Sequence, residues 1–173
     1  MENKMITIKA TTSIPVGLNV PTHNFIRQWN GYGTSHKVPF DTLEEIYYDA
    51  GAQYLFRNGY LEITDKDARV ALGLDGVVED ENGKEVEVTV KILKPIEQTR
   101  ALRVTPFAEF KKLVDELPEA QIQELVQKAI QLKISDMNKL EYLGKAANVD
   151  LMEHVRELRK DEDEEKAAKK ESK

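Results

Sequence analysis

The sequence predicts an α+β protein made of two successive parts. Apolar residues alternate at period two in several short stretches before residue 104, whereas helical spacing dominates from Thr105 onward. The stretch between Lys94 and Arg103 contains Pro95 and little periodicity. We therefore expect an N-terminal α+β domain over residues 1–104, with a small mixed sheet and short helices. A C-terminal domain of about four helices over 105–160 and a charged tail over 161–173 should follow.

Two short strands are predicted near the start of the chain. The segments MITIKA at 5–10 and VGLNV at 16–20 both alternate apolar and polar residues. Because proline cannot donate to a ladder, Pro15 and Pro21 limit the two strands, which we expect to be short or to lie at a sheet edge. Residues 22–38 include Asn30-Gly31-Tyr32-Gly33 and are expected to form a loop.

A helix, a strand and a second short helix are predicted next. Asp41 followed by Glu44 is typical of a capping box, and helical spacing continues to Gly51, where we expect the helix to end. A turn at residues 57–59 should lead into a short strand, and Asp65 should begin another short helix.

A β-hairpin is predicted around Asp80-Glu81-Asn82-Gly83, because Asn-Gly tolerates the positive φ angles of tight hairpin turns. The residues that follow alternate strongly, and we expect the apolar set to pack on the core while the polar set faces water. The apolar set is Val86, Val88, Val90 and Ile92, and the polar set is Glu85, Glu87, Thr89 and Lys91.

Amphipathic helices are predicted in the C-terminal part. Thr105 followed by Pro106 is typical of a helix opening, and a second helix should run from about Glu119 to Leu132. A third helix should open at Ser135, and Asp150 should cap a fourth.

The composition excludes several classes of protein. The chain has 173 residues, a formal charge of -6 and no cysteine, so disulfide frameworks and thiolate metal sites are excluded. No apolar run approaches the roughly 20 residues that cross a bilayer, and the N-terminus lacks the basic and apolar regions of a secretory signal. We therefore expect a protein that has no membrane partner and stays in the cytoplasm where it is made.

The motifs expected of an enzyme are missing from the sequence. His23, His36 and His154 lack the spacing with carboxylates that a metal site needs. The glycines of Gly31-Tyr32-Gly33 are not followed by the lysine and hydroxyl residue of a phosphate loop. We therefore predict a protein that is not an enzyme and that binds no cofactor, metal or small-molecule substrate.

Aromatic and basic residues around the only tryptophan form the candidate binding surface. Tryptophan, tyrosine and arginine contribute most to the affinity of protein interfaces, and residues 25–63 hold most of the aromatic residues. The alternative is that these side chains fill the core, in which case alanine at Trp29 lowers stability rather than partner binding. The predicted interface consists of Arg27, Trp29, Tyr32, His36, Tyr48, Arg57 and Tyr60.

Two segments resemble proteins of tailed bacteriophages. The pattern R-x-W-x-G-x-G at 27–33, followed by PFDTLEEIYYDAGAQYLFRNGYLEI at 39–63, resembles small accessory proteins of phage and prophage structural gene modules. The segment SDMNKLEYLGKAANVDLMEHV at 135–155 is similar to a helix–loop–helix of the HeH/LEM type that ends some of these proteins.

The resemblance implies a non-enzymatic virion structural or assembly protein, associated with the capsid, neck or tail. Such a protein acts through protein–protein contacts with other virion proteins or with copies of itself. It would be made in the cytoplasm of a bacterial host and would then enter the virion.

The alternative function is a DNA- or RNA-binding regulator that uses the C-terminal helices. Lys128, Lys133, Lys139 and Lys145 would then have to form a common basic face for phosphate groups. Glutamates interleave with these lysines, so nucleic acid is the less favoured partner.

Overall fold

The computed structural model describes residues 4–158 and 160–161, and it has the α+β composition that the sequence predicts. The chain divides into two compact units. The first contains the residues up to Ile92 together with Leu117–Gln121, and the second contains Leu93–Glu116 and the residues from Ile122 onward. This division differs from the predicted boundary between residues 104 and 105.

Short strands dominate the first unit, and helices form the second. The strands are β1 (Met5–Ala10), β2 (Val16–Val20), β3 (Phe25–Trp29), β4 (Ser35–Pro39), β5 (Leu61–Ile63), β6 (Asp75–Glu79) and β7 (Glu85–Thr89). The α-helices are α1 (Phe40–Tyr47), α2 (Ala50–Arg57), α3 (Lys66–Ala71), α4 (Pro95–Arg103), α5 (Phe107–Asp115), α6 (Glu119–Gln131) and α7 (Met137–Ala147). A 3-10 helix spans Pro21–His23, and residues 151–158 are also helical.

β1 is the central strand of a three-stranded antiparallel sheet in the order β4-β1-β5. Ile6 pairs with Val38 and Ile8 pairs with Ile63, and all four side chains are buried. Since paired residues place their side chains on the same face, these residues form one apolar face. The predicted strand at 5–10 is thus confirmed, and its apolar face packs on the core.

The segment predicted as a loop between residues 22 and 38 contains two strands instead. β3 pairs with β2, so that Val16 lies opposite Trp29 and Val20 lies opposite Phe25. Only the first and last residues of β3 are buried, while the three between them are exposed. A strand with this burial pattern has no period-two alternation in its sequence, which explains the wrong prediction.

The helix predicted from Asp41 to Gly51 is in fact two helices, α1 and α2. Pro39 is the N-cap of α1 and no side-chain cap forms there, so the predicted capping box is wrong. The carboxylate of Asp49 caps α2 by accepting hydrogen bonds from the N–H groups of Gly51 at 2.8 Å and Ala52 at 3.2 Å. The cap at Asp49 therefore starts a new helix at Ala50, so that α1 and α2 are separate helices. By contrast, the short helix predicted after Asp65 is confirmed as α3, which Asp65 caps.

The first unit has one apolar core to which strands and helices both contribute. Its members include Ile6, Ile8, Val16, Leu18, Trp29, Val38, Leu43, Ile46, Phe56, Leu61, Ile63 and Leu74. The core therefore joins the three-stranded sheet, the β2–β3 pair and the helices α1 and α2.

Residues Leu117–Gln121 are hydrogen-bonded to the turn between α2 and β5. The N–H of Ala120 donates to the carbonyl of Asn58 at 3.0 Å, and the side-chain amide of Gln121 donates to the carbonyl of Gly59 at 3.1 Å. Gly59 has a φ of +73°, and a Cβ at this position would lie 2.7 Å from the ring of Pro118. The turn therefore requires glycine.

The predicted hairpin is present, but its apolar face is only partly covered. β6 and β7 form a separate two-stranded sheet, which gains no third strand from the described residues. Val86 is 39% exposed, and Val88 is half-buried. The prediction that this face packs on the core is therefore wrong for Val86, because the described residues leave that end of the face partly uncovered.

α4 is a helix in a segment where the sequence suggested none. Pro95 occupies one of its first positions, and the backbone N–H of Lys94 donates to the carboxylate of Glu97 at 2.8 Å. These two features satisfy the start of a helix that lacks a long apolar stripe. α5 then begins at Phe107, directly after the predicted Thr105-Pro106 opening.

The second unit packs its helices around a small apolar core. Asp136 caps α7 by accepting from the N–H of Lys139 at 3.2 Å, and Asn148 ends the helix with a φ of 54°. The buried apolar residues of this unit include Phe110, Val114, Leu125, Ala129, Leu140, Leu143, Leu151 and Val155.

The end of the described chain agrees with one prediction from the sequence. Asp150 accepts a hydrogen bond from the N–H of Glu153 at 2.9 Å, which caps the helical residues 151–158. The predicted charged tail over 161–173 lies outside the described residues, apart from Asp161. Among the described residues, no helix combines the length and the apolar character needed to span a bilayer.

Candidate interaction surfaces

Trp29, the centre of the predicted interface, is a core residue. Its side chain is 0% exposed, and its indole N–H donates to the backbone carbonyl of Ile8 at 3.1 Å. The ring also meets His36 edge to face, with 5.1 Å between the ring centroids. Because a fully buried ring leaves no surface for a partner, the assignment of Trp29 to an interface is wrong.

The other predicted residues near β3 and β4 make local contacts. The guanidinium of Arg27 lies 5.3 Å from the ring centroid of Phe25, and the ammonium of Lys9 lies 5.2 Å from that of Tyr32. Arg27 and Tyr32 are exposed, whereas His36 is half-buried against the indole. These residues stabilise the surface of the first unit, and two of them remain accessible.

The predicted residues on α1, α2 and β5 form a second group. Tyr48 is 75% exposed, and Arg57 donates to the phenol oxygen of buried Tyr47 at 3.4 Å. Tyr60 stacks on Tyr54 with 5.8 Å between centroids. Tyr48 lies directly after α1, Arg57 ends α2 and Tyr60 lies directly before β5, apart in sequence from the β3 and β4 residues.

Tyr54 links α2 to the segment Leu117–Gln121. Its phenol donates to the Glu119 carboxylate at 2.9 Å, and this hydrogen bond is the main reason that the pKa of Tyr54 rises to about 12. A phenol with such a high pKa stays neutral at ordinary pH. Tyr54 therefore donates a hydrogen bond that joins α2 to Glu119.

A cavity of about 250 Å³ lies beside β5 and is lined by both apolar and charged side chains. Arg69 lines this cavity, and its guanidinium pairs with the Asp75 carboxylate at 3.3 Å and donates to the carbonyl of Ile63 at 2.9 Å. Asp75 also accepts from the hydroxyl of Thr89 at 3.2 Å. These groups are committed to one another, and the described residues contain no group of three metal-ligating side chains.

The β6–β7 arm, defined as Asp75–Thr89, is the most acidic part of the described chain. It contains six carboxylates and one lysine, for a net charge of -5. Val77 is 66% exposed and lies opposite Glu87, while Glu79 lies opposite Glu85. Like charges directly opposite each other destabilise a sheet, so this outward face is unfavourable in isolation.

The arm is nevertheless well formed at its tip. The Asp80 carboxylate accepts from the N–H groups of Asn82 and Lys84, both at 2.9 Å. The backbone N–H of Gly83 donates to the Asp80 carbonyl at 2.9 Å. The arm therefore presents a well-formed surface of acidic and apolar side chains. The alternation of valine and glutamate predicted β7 but not that Val86 would be exposed.

The four lysines of the nucleic-acid alternative do not form a common basic face. Lys139 is only 3% exposed, and its ammonium donates to the carbonyls of Ala101 at 2.9 Å and Leu102 at 3.0 Å. Desolvation in this position lowers the pKa of Lys139. Lys145 pairs with Glu141 at 2.7 Å. Two of the four cations are thus buried or neutralised within the second unit.

An apolar and basic face on α4 was not anticipated from the sequence. Ile96 and Val104 are 68% and 74% exposed, with exposed Arg100 between them. Exposed Arg103 and the partly exposed ring of Phe107 lie at the same end of the helix. Two residues could have predicted this helix from the sequence. Pro95 is suited to the first position of a helix, and Glu97 to its third position, where an acid can cap the helix start.

Comparison with known proteins provides no assignment for these surfaces. No protein-family model, no curated protein and no solved structure matches the chain.

Proposed function

We propose that this protein is a non-enzymatic structural or assembly component of a phage virion, which acts through protein–protein contacts. It would be made in the cytoplasm of a bacterial host, bind virion proteins or copies of itself, and enter the particle. The resemblance of residues 27–33, 39–63 and 135–155 to phage accessory proteins gives the setting, and the β6–β7 arm gives the physical support.

The exposed arm is the observation that carries the proposal. Two-stranded hairpins are marginal in water, and unpaired strand edges are templates for pairing with another chain. Val77 is 66% and Val86 is 39% exposed, and the strand register places them on opposite faces of this arm. Burying the exposed two thirds of the Val77 side chain against a partner contributes about 1 kcal/mol, so docking would partly compensate for an otherwise unfavourable surface.

The charge of the arm favours a protein over a nucleic acid as the partner. A surface with a net charge of -5 repels phosphate groups and attracts basic protein surfaces. The burial of Lys139 and the pairing of Lys145 with Glu141 weaken the competing phosphate-binding reading.

Particle association tests the proposal. The tagged chain is produced in the bacterium that carries its gene, and the particles released on induction are banded on a density gradient. We expect the wild-type chain to band with the particles and the Val77→Thr, Val86→Thr double variant to be lost from them.

The matched control for this experiment is Val149→Thr. Val149 is similarly exposed but belongs to the second unit, so this variant should band like the wild-type chain. Absence of the wild-type chain from the particles would overturn the virion assignment. Retention of the arm variant would overturn the role of the arm.

A further inference from the structure

The exposed face of α4 has the composition of an interface. Ile96, Arg100 and Val104 follow one another at four-residue spacing, so they form one stripe along the helix. Arginine is among the residues that contribute most of the binding energy at protein interfaces, where it lies beside buried apolar side chains. Two large apolar side chains, 68% and 74% exposed, are costly to leave in water.

The same region is basic in an otherwise acidic protein. Residues 94–112 contain five basic and two acidic side chains, for a net charge of +3, against -6 for the whole chain. Arg100 and Arg103 form no ion pair within the described part of the chain. Their charge is therefore available to a partner.

The outward face of the β6–β7 arm is the complement of this stripe. Val77, Glu79, Glu85 and Glu87 share that face, because Val77 lies opposite Glu87 and Glu79 lies opposite Glu85. One exposed apolar side chain is thus surrounded by three carboxylates that repel one another. Arginines placed between apolar residues would relieve this repulsion while the valine is buried.

We propose that the β6–β7 arm of one copy docks on the α4 face of a second copy. This inference rests on the proposed function and names a partner for it. Because the two contacting surfaces are different, a pair of copies joined by one contact still has one free arm, on one copy, and one free α4 face, on the other. Such head-to-tail contacts build rings or open filaments rather than closed dimers, which suits a repeating particle.

Charge exchange between the two surfaces tests this contact on the full chain. One variant carries Arg100→Glu and Arg103→Glu, and the other carries Glu85→Lys and Glu87→Lys. Each variant alone repels itself, so we expect self-association to weaken by more than about tenfold relative to wild type. Mixed together, the two variants present opposite charges at both contacts and should associate again.

Light scattering coupled to gel filtration, over a range of concentration and salt, gives the measurement. The mass of the wild-type chain should rise with concentration and fall toward that of a monomer in 1 M salt, where the screening length is about 3 Å. Arg156→Glu with Lys160→Glu is the charge-matched control, since both side chains are exposed outside the α4 face. This control should associate like wild type, and circular dichroism checks that every variant folds.

Two outcomes would overturn the inference: a wild-type chain that stays monomeric at low salt and high concentration, or variants that do not associate when mixed. A chain that still bands with particles after either result retains the proposed function through another partner. If the chain neither bands with particles nor self-associates, the proposed function fails as well.

Discussion

β1 and β7 carry the same alternation of apolar and polar residues but have opposite environments. Ile6 and Ile8 of β1 are buried between two neighbouring strands, whereas Val86 of β7 is exposed in a sheet of two strands. The alternation determines which side chains share a face. It does not determine whether anything packs on that face, because the covering element comes from elsewhere in the chain or from another chain.

The largest expected effect contrasts the core with the arm. Trp29→Ala removes the fully buried indole and its hydrogen bond to the Ile8 carbonyl, so the free energy of unfolding should fall by about 3–5 kcal/mol. Urea denaturation measures this loss. A loss below about 1 kcal/mol would mean that Trp29 is not the core residue described above.

A smaller effect is expected in the second unit. Lys139→Met removes the ammonium that binds the carbonyls of Ala101 and Leu102, which should cost about 1–3 kcal/mol of unfolding free energy. Urea denaturation of this variant gives the value. An unchanged midpoint would contradict the role of Lys139 in holding the end of α4.

Lys139 also predicts a pH dependence. Its pKa in the folded chain is lowered by burial from the ordinary value of 10.5, so the unfolded chain binds a proton that the folded chain has released. The stability contributed at this position should therefore rise as the pH increases from the lowered pKa toward 10.5. Lys139→Met should lack this rise when the two proteins are unfolded at a series of pH values.

Substitutions on the arm should scarcely affect stability. Val77→Thr alters a side chain that is 66% exposed, so it should change the free energy of unfolding by less than about 0.5 kcal/mol. Val86 is 39% exposed, so Val86→Thr should cost at most about 1 kcal/mol. The same substitutions should abolish particle association. A large loss of stability would place the valines in a core like that of β1 and remove the contrast between the two strands.

The smallest effect concerns Tyr54, which should alter a titration rather than the fold. Its pKa of about 12 lies above the ordinary 10.0, so its contribution to stability is complete below pH 10 and is lost as the pH rises through 12. Absorbance at alkaline pH follows tyrosine ionisation, and Tyr54→Phe should remove one late-titrating group. An identical alkaline profile would contradict the hydrogen bond to Glu119.

Local sequence signals predicted part of the fold. β1, β2, the β6–β7 hairpin and the Asp65 cap follow from alternation, turn chemistry and capping. β3 and α4 were not predicted, because neither has a continuous apolar pattern. Their stability comes from pairing with β2 and from the hydrogen bonds of Glu97 at the helix start, respectively.

The candidate surfaces were harder to predict than the fold. Trp29 looked like an interface anchor because it lies among glycines and basic residues. Its burial, however, depends on Ile8 of β1, which is distant in sequence, and on His36, a polar residue that a sequence pattern does not assign to the core. The exposure of Val77 and Ile96 depends on the absence of a covering element within the described residues. No local pattern in a single sequence shows whether another element will cover a given side chain.

The hydrogen bonds between Leu117–Gln121 and the α2–β5 turn have a consequence for synthesis of the chain. The carbonyl of Asn58 accepts from the N–H of Ala120, and the carbonyl of Gly59 accepts from the side-chain amide of Gln121 as well as from the hydroxyl of Thr11. Proteins are made from the N-terminus, so the ribosome must add more than half of the chain before the Ala120 and Gln121 donors exist. The first unit can therefore be completed only after Leu93–Glu116 of the second unit has been translated. A fragment that stops at residue 104 would leave the Asn58 carbonyl without the Ala120 donor, while the Gly59 carbonyl would keep the Thr11 hydroxyl.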